Sequence, residues 1–467
     1  MKISKKVYAA HRKLSECSTN FLEFAENNPE SLDRSSFNDL LSDARFDYFQ
    51  SNPWPTFIGN KTKKEMETAA ITVYKLITSI PDRLFSYNYH KISDYFEIPK
   101  DLAQMCIYCV DNDYMRSLLG RGDFIISPSG GLRCIEFNMM ANFGGWELDL
   151  LEPMYINTPI ISKFLEEYNV QLHNNHLFHV LLEHVLQTFI EKTPAEHEIN
   201  IAILFPEFYG VVETPNGAYL QNLYKTVLRQ ESNRLKGDLF ICGFDALKVV
   251  DGSLFCGDQK IHILIEMNNG KIPLIFMTAV EKRNLMIYNG PISRIMSNKL
   301  NVALLSEQKN SDVFTAEERE AINAYIPWTR KVVPGDTTFG KEKIKLEEFM
   351  LSNRERLVLK SSEGFGGYEV YPGRNVSPGE WTLHVEKALR ERKWVIQEYI
   401  PSASYLYQAG EYGCVEHHAV WGLFIFGSRY GGGFVRILPE DNSSGVINAH
   451  QGSEESIILE VGGEKWK

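Results

Sequence analysis

The segment LVLKSSEGFGGYEVYPG (357–373) decides how this chain is read. An apolar run ends in Lys360, a loop carries Gly364, Gly366 and Gly367, and a second β-prone run follows, so the pattern predicts strand, loop, strand. Glycines let a backbone approach a ligand closely and turn its N–H groups toward an anion. A lysine at the strand end adds a point charge. The order differs from the strand–loop–helix of a Walker loop, and GFGG does not match GxxxxGK[ST]. A plain glycine hairpin beside a surface lysine also satisfies this segment.

Working outward, WVIQEYI (394–400) starts 34 residues after Lys360. It reads as a strand whose apolar residues suit the faces of an adenine, while the backbone at Glu398, Tyr399 and Ile400, beside Gln397, suits its edge. A core strand with an exposed Gln-Glu pair is the bland alternative. Far upstream, RGDF (121–124) precedes CIEFNMMANFGG (134–145). Alternation on a strand puts Arg121 and Asp123 on one face, and Glu136 and Asn138 on one face of the next. If the two strands pair around SPSGG, Asp123, Glu136 and Asn138 converge beside Arg121. Hard oxygen donors of this kind suit Mg²⁺ completed by phosphates and water. A half-exposed polar hairpin is the competing account.

Composition narrows the classes. With 49 Lys plus Arg against 60 Asp plus Glu, the formal charge is −11, which argues against a general nucleic-acid or membrane-surface binder. The longest apolar runs, such as 419–427, are far short of the roughly 20 residues a membrane helix needs. The opening MKISKKVYAAHRKL has lysines without a following apolar stretch, so no secretory signal is expected. Seven scattered cysteines suit reduced thiols in a cytoplasmic protein. Cys106 and Cys109 form a CxxC without a second ligand pair at zinc spacing, and are expected to be buried and structural.

Four regions are expected in an α/β (α+β) chain: a mainly helical 1–110, a hairpin with helices over 111–198, a βαβ region over 199–290, and 291–467. The first is irregular at 51–61. In the third, IAILF (201–205), DLFICGF (238–244), KIHILIEM (260–267) and IPLIFM (272–277) read as strands around a helix near 218–233. In the second, 157–191 reads as helical. His173, His176 and His179 recur every three residues, drift about −60° per step round a helix, and read with His184 as a solvated face rather than a metal site. His417 and His418 are adjacent, so one is expected to face a site and one not. Gly144-Gly145-Trp146 suits either a segment that positions substrate or a tight turn with a packed Trp. Glu147 and Asp149, just beyond, are candidates for holding an ammonium group.

The order of these motifs resembles the circularly permuted ATP-grasp family, in its glutathionylspermidine synthase-like branch. There an RxD hairpin and an ExN strand come first and the glycine lid last, as Arg121-Gly-Asp123, Glu136-Phe-Asn138, Lys360 and Gln397-Glu398-Tyr399 do here. Ser297-Asn298-Lys299 matches the family's other nucleotide lysine, and GGGFVRI (431–437) its late arginine. The resemblance covers about residues 110–460 and implies an ATP-grasp fold with a pre-ATP-grasp domain over 199–290. It implies that Lys299 and Lys360 contact ATP phosphates under a lid of Gly364, Gly366 and Gly367. Gln397, Glu398, Tyr399 and Ile400 would line the adenine pocket, Asp123, Glu136 and Asn138 would hold Mg²⁺, and Arg121 and Arg436 would be catalytic. One departure is Lys360-Ser361-Ser362-Glu363-Gly364, where the family often has Lys-Pro followed by Arg-Glu-Gly.

The implied activity is ATP-dependent ligation of a small-molecule or peptide carboxylate to an amine through an acylphosphate. A phosphotransferase and a non-catalytic nucleotide-binding partner are the alternatives. The expected cofactors are ATP and Mg²⁺, with neither nucleic acid nor membrane as a partner.

Overall fold

Alternation along 119–138 does what it predicts. In the computed structural model, β2 (Leu119–Ile126) and β3 (Leu132–Asn138) form an antiparallel hairpin. The structure describes residues 3–29, 34–43, 50–108, 110–141, 144–145, 147–204, 215–267, 272–364, 366–411, 413–448 and 451–462. It is a mixed α/β molecule with several sheets.

The hairpin is one edge of a seven-stranded sheet in the order β1 (Thr56–Gly59), β20 (Glu454–Val461), β19 (Arg429–Pro439), β18 (Gly413–Phe426), β2, β3, with β17 (Ser404–Ala409) also pairing with β18. β18 spans 14 residues, most of them buried, and lies between β2 and β19 over much of its length. It therefore brings residue 123 and residue 436 to one sheet surface although some 310 positions separate them. A second, antiparallel sheet runs β11 (Thr329–Lys331), β16 (Trp394–Glu398), β14 (Leu357–Ser361), β15 (Val370–Pro372). The helix Pro378–Glu391 returns the chain from β15 to β16, opened by a Ser377/Glu380 capping box and Pro378 in its first turn. Trp381, Val385 and Ala388 on its buried face pack with Leu357, Leu359 and Ile396.

Strands β4 (Ile201–Leu204), β5 (Leu239–Cys242), β9 (Ile263–Glu266) and β10 (Met286–Tyr288) form a parallel sheet in the order β10-β9-β4-β5, joined by helix Pro215–Glu231 and covered by helix Leu274–Glu281. IPLIFM is thus a helix, not a strand. A short apolar run has no period of its own, and Pro273, extended at ψ 130, starts the helix. A three-stranded hairpin stack, β6 (Leu247–Val250), β7 (Ser253–Cys256) and β8 (Gln259–Ile261), precedes β9, while β12 (Asp336–Phe339) and β13 (Glu342–Lys345) form a separate hairpin.

The irregular 51–61 hides β1, which pairs in parallel with β20. Four residues bounded by prolines and a glycine carry too little alternation to be read, and only β20 supplies the missing partner. Helices Lys5–Leu14, Glu16–Asn27 and Asn60–Thr78 pack in one apolar core with the large sheet. Expected helix 157–191 is two, Pro159–Glu167 and Leu177–Lys192. His173 and His176 precede the second helix rather than lie on it, and His184 is buried with its Nε2 2.7 Å from the Ser117 carbonyl oxygen, not solvated. Cys109 and Trp146 lie outside the described residues, and the six described cysteines are free. No described helix is long and apolar enough to cross a membrane.

Candidate functional site

Pairing of β2 with β3 sets Asp123 opposite Glu136 and Arg121 opposite Asn138. The Asp123 carboxylate receives Arg121 Nε at 2.8 Å and Nη2 at 3.0 Å, Arg436 Nη2 at 2.7 Å and Asn138 Nδ2 at 3.3 Å. Burial works to raise its pKa, but the two guanidiniums outweigh it and hold the carboxyl below the usual range. Arg436 is likewise held upward by Asp123 against burial, and its Nε is buried without a hydrogen-bond partner among the described residues. The Phe434 ring lies 5.4 Å from the Arg121 guanidinium and 5.7 Å from that of Arg436. Glycine makes that possible, since a Cβ at Gly422 or at Gly145 would stand 2.3 Å from the ring.

The late segment meets this cluster. Lys360, at the end of β14, is buried and donates to Gln397 Oε1 at 2.7 Å and to the Ile135 carbonyl at 3.2 Å. Burial pushes its ammonium down to about 8, against the pull of Glu136. Lys299 stands at the start of helix Leu300–Gln308, its N–H donating to the Ser362 carbonyl at 3.0 Å. Its Nζ lies 3.2 Å from Glu136 Oε1 and donates to the Gly364 carbonyl. Four cations, Arg121, Arg436, Lys299 and Lys360, thus gather around two carboxylates, Asp123 and Glu136.

Between the two sheets lies a cavity of about 300 Å³. Asp123, Glu136, Lys360 and Arg436 line its charged end, Ile125, Ile135, Val358, Val420 and Leu438 its walls, and Gln397 to Ile400 one edge. Along that edge the Glu398 and Tyr399 N–H groups are taken by the Trp328 and Arg356 carbonyls at 2.8 Å each, while the Ile400 N–H donates to no backbone carbonyl among the described residues. Arg374 stacks on Tyr399 with its guanidinium 3.8 Å from the ring centre. Gly367 (φ +74) is part of the roof, and a Cβ there would stand 3.0 Å from Asn448 Cβ. Gly364 reaches the site through Lys299, and Gly366 (φ +65) carries the turn between. Arg121, Asn138 and Lys299 stand one contact behind the cavity surface.

Glu136 and Asn138, a carboxylate and an amide on one face of β3, are donors of the kind Mg²⁺ takes, with Glu136 on the cavity wall, its Oε1 3.2 Å from Lys299 Nζ, and Asn138 behind it. Both oxygens of Asp123 are already engaged by guanidinium, so it would join a metal only by giving up an arginine contact. Among the described residues no three His, Cys, Asp or Glu side chains are grouped to hold a metal by themselves.

Segment 440–448 and Glu455 carried no readable signal, and of the His417–His418 pair adjacency said only that one faces the site. The segment 440–448 closes the cavity from the far side through Glu440, Asn442 and Gly445 to Asn448, yet its composition says only loop. His418 lines the cavity, whereas His417 packs on Tyr407 and bonds the Val415 carbonyl at 2.9 Å. Glu455, opposite Arg436 in the β19–β20 register, faces the buried Glu147; burial and then Glu455 push the Glu147 carboxyl well above its usual range. Glu147 is itself buried, its two oxygens accepting the Gly145 N–H at 3.2 and 3.1 Å. No protein-family model matches the chain, and no curated protein matches it.

Proposed function

We propose that the chain is an ATP-dependent carboxylate–amine ligase of the circularly permuted ATP-grasp type, with ATP and Mg²⁺ bound between its two sheets. One observation carries the reading: Lys299, Lys360 and the glycine flap from the late segment meet Asp123, Glu136 and Asn138 from the early hairpin around a single cavity. The apolar walls and the Ile400 N–H suit an adenine, and the four cations suit a triphosphate.

The protein's part is positioning and charge neutralisation, because charge builds on phosphoryl oxygens and then on a tetrahedral oxyanion. Lys360 and Lys299 orient the phosphates under the flap. Arg436, at the cavity's charged end, holds the substrate carboxylate and the acylphosphate it becomes, and Asp123 keeps its guanidinium and that of Arg121, which stands behind it, aligned. When bound at Glu136 and Asn138, Mg²⁺ supplies further neutralisation of phosphate charge. The flap and segment 440–448 exclude water that would hydrolyse the acylphosphate.

The test is incubation of the protein with [γ-³²P]ATP, Mg²⁺ and a panel of carboxylates, with and without hydroxylamine. A hydroxamate with stoichiometric ADP and phosphate supports ligation. A stable phosphorylated acceptor indicates a kinase, and nucleotide binding without turnover a partner protein; either sinks the ligase reading.

A further inference from the structure

Lys299 ties the flap to the early hairpin. Its backbone N–H donates to the Ser362 carbonyl at 3.0 Å, and its Nζ reaches both the Gly364 carbonyl and, at 3.2 Å, Glu136 Oε1. An ammonium has three donors, so two of them are committed, one to the flap and one to the carboxylate. The Lys299 side chain is 5% exposed, against 22% for Glu136, and a pair so placed is screened little by salt. Glu136 and Lys360 line the cavity, whereas Lys299 stands behind its surface. Its ammonium is therefore held back from the space where phosphates would lie, by the two oxygens it already serves. Lys360 differs: its partners are the neutral Gln397 amide oxygen and the Ile135 carbonyl.

The charge balance says which ligand breaks this contact. Arg121, Arg436, Lys299 and Lys360 outnumber Asp123 and Glu136, so the cluster carries a formal positive excess. A bare divalent cation entering it meets net repulsion and a Glu136 oxygen already paired with an ammonium. A triphosphate reverses the sign, and its oxygens compete for that ammonium. We propose that Lys299 is an electrostatic latch: paired with Glu136 and the Gly364 carbonyl, it bars free divalent metal and ties down the flap until nucleotide phosphates draw it away. The inference rests on the ligase reading and adds that metal and nucleotide enter together. By linkage, each then raises the affinity for the other by the same factor.

Mn²⁺ stands in for Mg²⁺ in the test, because electron paramagnetic resonance reads the protein-bound fraction without turnover. The wild-type protein should hold Mn²⁺ alone at roughly the millimolar level, the weak end of carboxylate sites. Lys299→Gln should bind Mn²⁺ alone about tenfold or more tightly than wild type. Lys299→Arg, which keeps the charge, should match wild type, and Lys299→Gln combined with Glu136→Gln should lose the gain. Micromolar binding of Mn²⁺ alone by the wild type overturns the latch whatever the variants do. So does a Lys299→Gln protein that binds Mn²⁺ no better than wild type, or a gain that survives in the double variant. Calorimetry with ATP on the wild type separates the two readings. ATP binding without the Mn²⁺ gain overturns the latch and leaves the ligase reading standing. The gain in a protein that binds no ATP overturns the ligase reading and, with it, the release of Lys299 by phosphates.

Discussion

Asp123 is the residue on which the site's geometry turns, because one carboxylate holds two buried guanidiniums. Removing one partner of a buried ion pair leaves uncompensated charge, so Asp123→Ala should lower unfolding free energy by about 3–5 kcal/mol, read by urea denaturation. A loss below about 1 kcal/mol would mean that the arginines find other partners. Lys360 donates into the cavity's charged end from a buried position, so Lys360→Ala should abolish ATP binding measured by calorimetry. Glu136→Gln keeps the shape and removes the charge: Mg²⁺-dependent turnover should fall by at least tenfold, with ATP affinity changed far less. Equal losses in both would place Glu136 on the nucleotide rather than on the metal. At this scale the sequence was legible for Asp123, Glu136 and Asn138, since period-two alternation assigns a face. It was not legible for Glu455, whose partner Glu147 lies some 300 positions earlier.

The glycine flap is an element whose role depends on what it closes against. Gly367 sits at φ +74 and packs on Asn448 and Val446. A side chain there is both conformationally strained and crowded. Gly367→Ala should raise the KM for ATP several-fold while the melting temperature stays within about 2 °C, because the flap lies outside the apolar core. A normal KM would show that the seam between flap and 440–448 does not guard the nucleotide. Elements also mark where pattern reading fails. Residues 272–277 are apolar throughout and become a helix because Pro273 and the parallel strand β9 leave room for a crossover, not another strand. Residues 56–59 become a strand because β20 offers an open edge.

Across the whole molecule, the N-terminal helices are part of the sheet's support. His11 is 3% exposed; its Nε2 accepts the Leu406 N–H at 3.0 Å and its Nδ1 lies 2.8 Å from Ser18 Oγ, joining the first helix to β17. Burial pushes its pKa down to about 3 from 6.5. The folded pKa is below the unfolded one, so the unfolded chain binds the extra proton between these values. His11's contribution is complete above pH 6.5 and declines as pH falls toward 3, at up to about 1.4 kcal/mol per pH unit. His11→Gln should flatten the acid limb of a stability–pH profile between pH 6 and 4; an unchanged slope would assign acid sensitivity to other groups.

By itself, the sequence determined the hairpin, the lysine-and-glycine strand pair, the βαβ alternation and the identity of most charged side chains at the cavity, because each is written in short-range periodicity or in residue chemistry. Only the tertiary structure decided that Asp123 is an arginine anchor, that 440–448 closes the far side of the cavity, that Glu147 is buried against Glu455, and that β1 completes the large sheet. Those outcomes depend on partners hundreds of positions away, and strand pairing and burial, unlike alternation, leave no local trace in the chain.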